Sequence, residues 1–438
     1  MATISQISGW GNYPEIAAEI HTPARQSLQQ GIALPSGYGF IPRGAARSYG
    51  DSALAHRVLS SRCLNRFISF DNDSGLLTCD AGVTLGEILT TFVPKGWFLP
   101  VTPGTKFITV GGAVASDVHG KNHHLDGCFS EFVTEIIVQI GDQVYQCSRQ
   151  QYADLFHATC GGMGLTGLIT QVSFSLKPIK SAYIRQKNIK TSCLAESLRV
   201  FDEYVDSQYS VAWIDCLATG EALGRSIISV GEHADQGALE PHQAPKLSIP
   251  CHFPDFVLNP LSVQAFNFLY YGKEKAGPEE QLLHYNPYFY PLDGIANWNR
   301  MYGRGGFTQY QFALPKTAGL EGLSAILDRI AKSKQGSFLA VLKAFGKHNN
   351  NPLSFPVEGY TLALDFKINA RIWSLLNQLD EVVIHYGGRL YLTKDARMTE
   401  RFFKATYPRW QEFNAIRDKY GATQLYSSLQ SQRLGISR

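Results

Sequence analysis

A chain of 438 residues exceeds what one hydrophobic core ordinarily organises, so two or three domains are expected. Apolar residues make up 44% and charged residues 18%, the balance of a globular protein rather than a disordered one. A net charge of +3 without any Lys/Arg run argues against a nucleic-acid-binding protein, and no apolar stretch approaches the roughly 18 residues of a spanning helix.

Taken in order, Thr22-Pro23 predicts the start of a short helix that Gly31 ends. A strand near residues 38–41 runs into PRGAARSYGD, residues 42–51. Strands over 67–71 and 76–80 form a hairpin around Asn72, Asp73 and Gly75. Thr84 and Glu87 are spaced as a capping box, opening a helix that Pro94 and Gly96 close. A strand over 97–101 leads into PGTKFITVGGAVASDVHGKNHH, residues 103–124. Strands over 133–140 and 143–147 pair across Gly141-Asp142, and a helix over 150–159 delivers CGGMGLTG, followed by a strand over 168–176. Lys177-Pro178 reads as a domain boundary. Residues 241–286, proline-rich and without a steady period, read as a long mobile loop. Strand, helix and strand then succeed one another twice, over 306–313, 317–332, 337–345 and over 360–366, 370–385, 389–392. That order predicts an α+β layer with helices on one face of a sheet. The tail, 399–438, carries a helical pattern around 409–419.

The eight cysteines form no CxxC pair and fit no zinc or disulfide framework, which favours a reducing compartment. The N-terminus lacks the basic and apolar regions of a signal peptide. The expectation is a cytoplasmic protein, with peripheral contact with a membrane left open.

The chemistry concentrates in the first half. Residues 103–124 combine a turn, the pair Gly111-Gly112 and a basic, imidazole-rich tail. Small residues let a backbone approach a ligand closely, and amides freed by turns can cradle phosphate oxygens. Three Gly-rich turns, within 44–50, 104–112 and 161–167, suggest a shared phosphorylated ligand, a dinucleotide. Gly162, Gly164 and Gly167 spell GxGxxG, but a helix precedes them and a strand follows, the reverse of a nicotinamide fingerprint. His119, His123 and His124 have no carboxylate partners at metal-ligand spacing, so no metal is expected and His119 reads as a polar contact to the cofactor. No GxSxG elbow or Walker loop supports a hydrolase or a triphosphatase.

PRGAARSYGD, PGT…TVGGAVASDVHGKNHH and CGGMGLTGLI resemble the PCMH-type FAD-binding domain of the vanillyl-alcohol-oxidase flavoproteins. WNRMYGRGGFTQYQF, FLAVLKAFG, NPLSFPVEGY and GGRLYLTKDAR are similar to the decaprenylphosphoryl-ribose 2-oxidase family, flavin subunits of two-component epimerases. The likeness covers nearly the whole chain and is weakest over residues 178–286.

The resemblance implies a two-lobed FAD-binding domain over 7–178, a substrate domain with an antiparallel sheet flanked by helices over 179–393, and a C-terminal segment, 394–438, packing back on the FAD domain. It implies that Arg43, Gly44, Ala45, Ala46, Arg47, Ser48, Tyr49, Gly50 and Asp51, with the turn Thr109, Val110, Gly111 and Gly112, hold the pyrophosphate of FAD. Gly104, His119, Gly120, Lys121 and Asn122 would line the flavin, Ile169 would touch the ring or ribityl chain, and Tyr391 would reach in from the second domain. Many relatives attach flavin through a histidine in the first Gly-rich loop; Ala45, Ala46 and Arg47 stand there, so non-covalent FAD is expected.

By the same resemblance the substrate pocket carries over to Gln309, Gln311, Lys343 and Lys394, with Lys394 and His119 as catalytic candidates. Lys394 would partner the reacting hydroxyl and act as base if burial lowers its pKa; binding the substrate phosphate or stabilising reduced flavin are alternatives. Three positions depart from the family: Ala363 replaces a cysteine, Thr361 an asparagine and Phe289 a tyrosine, with Tyr290 adjacent. The implied activity is FAD-dependent oxidation of the 2-hydroxyl of a polyprenylphosphoryl pentose, the keto sugar passing to a separate NAD(P)H-dependent reductase. A soluble oxidase of a free sugar alcohol or aldonolactone is the alternative. The aromatic stretch 253–288 is a candidate for contact with lipid.

Overall fold

The computed structural model describes residues 2–23, 34–245, 247–254, 256–274 and 279–437. The short helix expected between Thr22 and Gly31 lies outside the described residues. The fold is α+β, built on three main sheets.

The first sheet has four strands, in the order Ala2–Ser8, Glu15–His21, Arg57–Ser60, Phe40–Arg43. The first two form an antiparallel hairpin, and the other pairings are parallel. The second sheet is antiparallel: Phe67–Phe70, Leu76–Asp80, Leu168–Ser175, Val133–Ile140, Gln143–Cys147. Its core face supplies Val133, Ile136 and Val138, all fully buried. Thr84 caps the helix Leu85–Phe92 in a complete capping box, and Gly96 takes up the left-handed conformation after Pro94 as expected.

The third sheet has eight antiparallel strands: Glu280–His284, Tyr183–Thr191, Ser226–His233, Tyr209–Ile214, Ala340–Phe345, Gly359–Lys367, Phe307–Pro315 and Arg389–Leu390. Side chains alternate across a strand. Tyr310, Phe312 and Leu314, with Leu362, Leu364, Ala340 and Leu342, therefore share a core with the helices Leu194–Glu203, Gly319–Ser333 and Ile372–His385. Leu323, Ile326, Leu327 and Ile330 occupy the i, i+3, i+4, i+7 stripe of Gly319–Ser333 and are fully buried, each stabilising the layer by about 2 kcal/mol. The intervening positions, Gln309, Gln311, Val341, Lys343 and Ala363, face the other way and line a cavity.

Several expectations are corrected. The stretch 241–286 is not a plain loop: it holds the helix Pro260–Lys273 and the edge strand Glu280–His284. Asn259 and Ser262 form a capping box and Pro260 takes the first helical position. The helix escaped a periodicity reading because its apolar residues, among them Leu261, Val263, Phe266, Phe268 and Leu269, run round the axis. The strand expected over 97–101 ends at Phe98, since Pro100 has no amide to continue a ladder. The last expected strand ends at Leu390, and the chain then closes a 3-10 turn, Leu392–Lys394. The turn at Thr109–Gly112 is the start of a helix, Val110–Ala115, capped by Thr109.

The C-terminal residues close the molecule. The guanidinium of Arg417, wholly buried, donates to the carbonyls of Leu165, Tyr426 and Ile436. Arg433 bridges Asp51 at 2.6 Å and Asp395 at 2.9 Å. Among the described residues no helix is long and apolar enough to cross a membrane.

Candidate active site

One cavity of about 770 Å³ lies between the glycine-bearing loops and the open face of the eight-stranded sheet. Close backbone approach builds its floor. A Cβ on Gly44 would collide with Thr109 Oγ1, and one on Gly50 with the backbone of Asp395. Glycine at these two points lets the loop 43–51 nest against both neighbours.

Gly44, Ala45, Ala46, Arg47, Ser48 and Tyr49 line the cavity, and Ala46 is held at φ 56°. Among the described residues the amides of residues 44–48 find no acceptor, whereas the Tyr49 amide is held by Thr393 O at 3.0 Å. A run of unpaired amides about a left-handed residue is a concavity suited to an anion. Arg47 adds a buried Nε without a partner among the described residues, its guanidinium 4.0 Å over the Trp10 ring. The Thr109–Gly112 segment is different. The amides of Val110 and Gly111 are taken by Val83 O and Ala81 O, and that of Gly112 by Thr109 Oγ1. It offers a phosphate small surface rather than free donors. Arg43 also lines the cavity, but its guanidinium is held by the carbonyls of Ser8 and Ala53.

Another part of the cavity wall is rich in nitrogen. Gln311 and His119 meet at 3.0 Å through their Nε2 atoms. Thr361 donates its hydroxyl to Phe312 O at 2.8 Å and so must accept from Gln311 Nε2 at 3.3 Å. The Gln311 amide group thus donates twice, and His119 Nε2 is an acceptor. Burial, reinforced by the charges of Lys343, His123 and Lys394, holds the His119 imidazole well below its usual pKa. It is neutral, with its proton on Nδ1, a buried atom without a partner among the described residues. Tyr391 stacks on Phe355 and donates its hydroxyl to Ser116 O at 2.8 Å.

Three lysines share this end. Lys121 donates to Tyr288 O at 2.5 Å, and burial, then Lys343, pulls its pKa down to about 7. Burial brings Lys343 down to about 8. Lys394 sits 3.8 Å over the Tyr49 ring. Burial lowers its pKa, Asp365 opposes that and Lys343 reinforces it.

The cavity therefore gathers Gly104, Thr109, Gly111, Gly112, Gly120, Ile169 and Tyr391 with Gln309, Gln311, Lys343 and Lys394, residues far apart in sequence. Four expected contacts stand back from it. Gly50 and Asp51 pack behind the loop on Asp395 and Arg433; Val110 is in the core; Asn122 donates to Pro100 O at 2.8 Å and to Asp126. Phe289 and Ala363 line the wall, while the Tyr290 hydroxyl turns to Thr102 at 2.5 Å. Tyr290 does not replace the missing phenol. The sequence reading passed over Trp10, Trp213 and the buried pair Lys106–Asp293, which have no local signature, and Asp365. The one available signal for Asp365 was its place two residues beyond Ala363, on the same face of an alternating strand.

Comparison with known proteins bears on this cavity. Residues 30–142 match the FAD binding domain family. The decaprenylphosphoryl-β-D-ribose oxidase of Mycolicibacterium smegmatis is 35% identical, the match covering 99% of this chain and 98% of the relative. The chain belongs to the decaprenylphosphoryl-β-D-ribose oxidase family. An uncharacterised protein of Streptomyces coelicolor is 30% identical over 81% of this chain and its own full length. An L-gulono-1,4-lactone dehydrogenase of Mycobacterium tuberculosis is 20% identical over 97% of this chain and 98% of its own. The protein is an FAD-dependent oxidoreductase. The unpaired amides of residues 44–48, the partnerless Arg47 Nε and the partnerless His119 Nδ1 fit a dinucleotide that brings acceptors to all three.

Proposed function

We propose that the protein oxidises the 2-hydroxyl of a polyprenylphosphoryl pentose, ribose in the first instance, to the keto sugar. The observation that carries this reading is the convergence of Gln309, Gln311, Lys343 and Lys394 on one cavity wall, facing a loop suited to a pyrophosphate. FAD would be held without a covalent bond by residues 43–49, 104, 109, 111, 112, 119–121, 169 and 391, which line the cavity, and would supply the acceptor for the hydride leaving the carbinol carbon. Lys394 in its neutral form takes the hydroxyl proton, which its lowered pKa permits near neutral pH. Gln309 and Gln311 fix the sugar, and charged Lys343 holds its phosphate. His119, its Nε2 lone pair occupied by Gln311, serves as a hydrogen-bond donor from Nδ1 rather than as a base.

We divide the chain into an FAD-binding unit over 7–178, a substrate unit over 179–393 and a closing segment over 394–438. The cavity runs past Trp213 to Tyr270 and Leu283, beside the helix Pro260–Lys273. Leu261, Phe268 and Leu269 of that helix are 76%, 67% and 68% exposed, more apolar surface than a solvated helix keeps. They suit peripheral contact with the lipid that carries the substrate's tail. The keto sugar then passes to a separate NAD(P)H-dependent reductase, completing a 2-epimerisation, in the cytoplasm.

A test is anaerobic reduction of the yellow protein. A short-chain prenylphosphoryl ribose is expected to bleach it, and xylitol or L-gulonolactone is not. Bleaching by the free polyol or lactone alone would overturn the proposal and favour a soluble sugar oxidase, the reading that the lactone dehydrogenase relative supports. Acid precipitation is expected to leave all flavin in the supernatant.

A further inference from the structure

Asp365 is buried behind Gln309 of the cavity wall, and among the described residues one of its two carboxylate oxygens has no partner. It lies on Gly359–Lys367 in the same side-chain phase as Thr361 and Ala363, directly opposite Gln309. It is 1% exposed. Gln309 Nε2 donates to Oδ1 at 2.5 Å, and Oδ2 has no partner among the described residues. A buried carboxylate oxygen left without a donor is costly unless a charge answers it. The other acid buried at the wall, Asp293, is already answered, by Lys106 Nζ at 3.7 Å and the Lys106 amide at 2.9 Å. Among the described residues the cation that answers Asp365 is Lys394, whose Nζ lies 3.8 Å over the ring of Tyr49, a side chain that meets Gln309, the hydrogen-bond partner of Asp365.

We propose that Asp365 is a positioning residue for the oxidation, setting the acid–base balance of Lys394 and stabilising the ammonium that forms there during the reaction. The proposal rests on the role given to Lys394 above. In the step concerned, with FAD in place as the two-electron acceptor, the C2–H bond would break and its electron pair would leave with the hydrogen as hydride. The O–H bond breaks, its electron pair becomes the second bond of the ketone, and its proton moves to the neutral amine of Lys394. One positive charge appears on Lys394, and the carboxylate of Asp365 compensates it.

The groups that face this pair are few. Lys343, on the neighbouring strand, disfavours the ammonium, and neutral His119 lies beside it. Tyr49 and Tyr302, both buried, flank Asp365 on the aromatic side. Burial raises the pKa of Asp365, while the Gln309 amide and the charge of Lys394 lower it. With the carboxylate removed, burial and Lys343 act on Lys394 unopposed and its pKa must fall.

The experiment compares holoenzyme with the Asp365→Asn, Asp365→Ser and Asp365→Glu variants, with flavin absorbance confirming that FAD is retained. Competitive acetylation by trace-labelled acetic anhydride, read on the Lys394 peptide by mass spectrometry, reports its titration midpoint without any sugar. The midpoint is expected to fall by about one pH unit in the Asn and Ser variants and to stay near the wild-type value in the Glu variant. The acid limb of flavin reduction by prenylphosphoryl ribose is expected to move in parallel, with a lower plateau rate. A Lys394 midpoint unchanged in both neutral variants would overturn the proposal, whatever the rate. If all forms fail to oxidise the sugar yet the labelling midpoint moves, the substrate reading has failed and the Asp365–Lys394 coupling stands.

Discussion

Lys394 and Lys343 carry the sharpest consequences of desolvation at the scale of single residues. Both ammonium groups line the cavity, and both are held below the ordinary lysine range. Replacing Lys394 by Ala is expected to slow flavin reduction by about 100-fold or more, the usual cost of losing a positioned acid or base, with FAD occupancy unchanged in the absorbance spectrum. For Lys343 the sign follows from its pKa of about 8. It is charged below that pH and neutral above it, so the phosphate binding proposed for it weakens as pH rises. Between pH 7 and pH 9 KM for the prenylphosphoryl sugar is expected to rise about tenfold, and Lys343→Met is expected to abolish the rise. Ala363 makes the opposite point. It can supply no thiol, so Ala363→Cys is expected to leave the rate of flavin reduction within about twofold while adding a site for alkylating reagents.

At the scale of elements, the same alternation that fills the core shapes the cavity. Phe312 and Leu364 face the helices, and their neighbours Gln311 and Ala363 face the site, because side chains on a strand repeat every second residue. The segments flanking GxGxxG behave as their order suggested: the helix Ala153–Thr159 precedes it and the strand Leu168–Ser175 follows. The helix Pro260–Lys273, which no periodicity revealed, leaves Leu261, Phe268 and Leu269 exposed. If it meets lipid, the double substitution Phe268→Ser and Leu269→Ser is expected to reduce co-flotation with anionic vesicles several-fold, leaving flavin reduction by a short-chain substrate unchanged. Equal flotation of both proteins would refute that contact.

At the scale of the whole molecule, the site depends on contacts between distant parts of the chain. Arg433 joins Asp51, at the end of the 43–51 loop, to Asp395, next to Lys394. Removing one member of such a buried cluster leaves uncompensated charge, so Arg433→Ala is expected to cost about 3–5 kcal/mol and to loosen FAD, measured by thermal unfolding and flavin release. Burial tends to raise the pKa of Asp395, but Arg433 and the amides of Arg397 and Met398 outweigh it and hold the group below its ordinary value. Its contribution to stability is therefore full above the ordinary carboxyl range and lost as pH falls through the lower, folded value.

What the amino-acid sequence determined by itself was local and periodic: the capping box at Thr84, the hairpin across Gly141-Asp142, the two strand–helix–strand units and the small residues of the 43–51 loop. These follow from interactions within a few residues, and motif likeness extended them to FAD and to the four polar residues of the pocket. Only tertiary structure decided which donors are free. The amides of residues 44–48 are open while those of Val110, Gly111 and Gly112 are spent, and the Arg43 guanidinium is occupied. It also decided that Gln311 occupies one face of His119, and that Asp365 lies buried opposite Gln309 with an oxygen to spare. Hydrogen-bond satisfaction and desolvation depend on which atoms surround a group, and those atoms come from segments that sequence spacing does not relate.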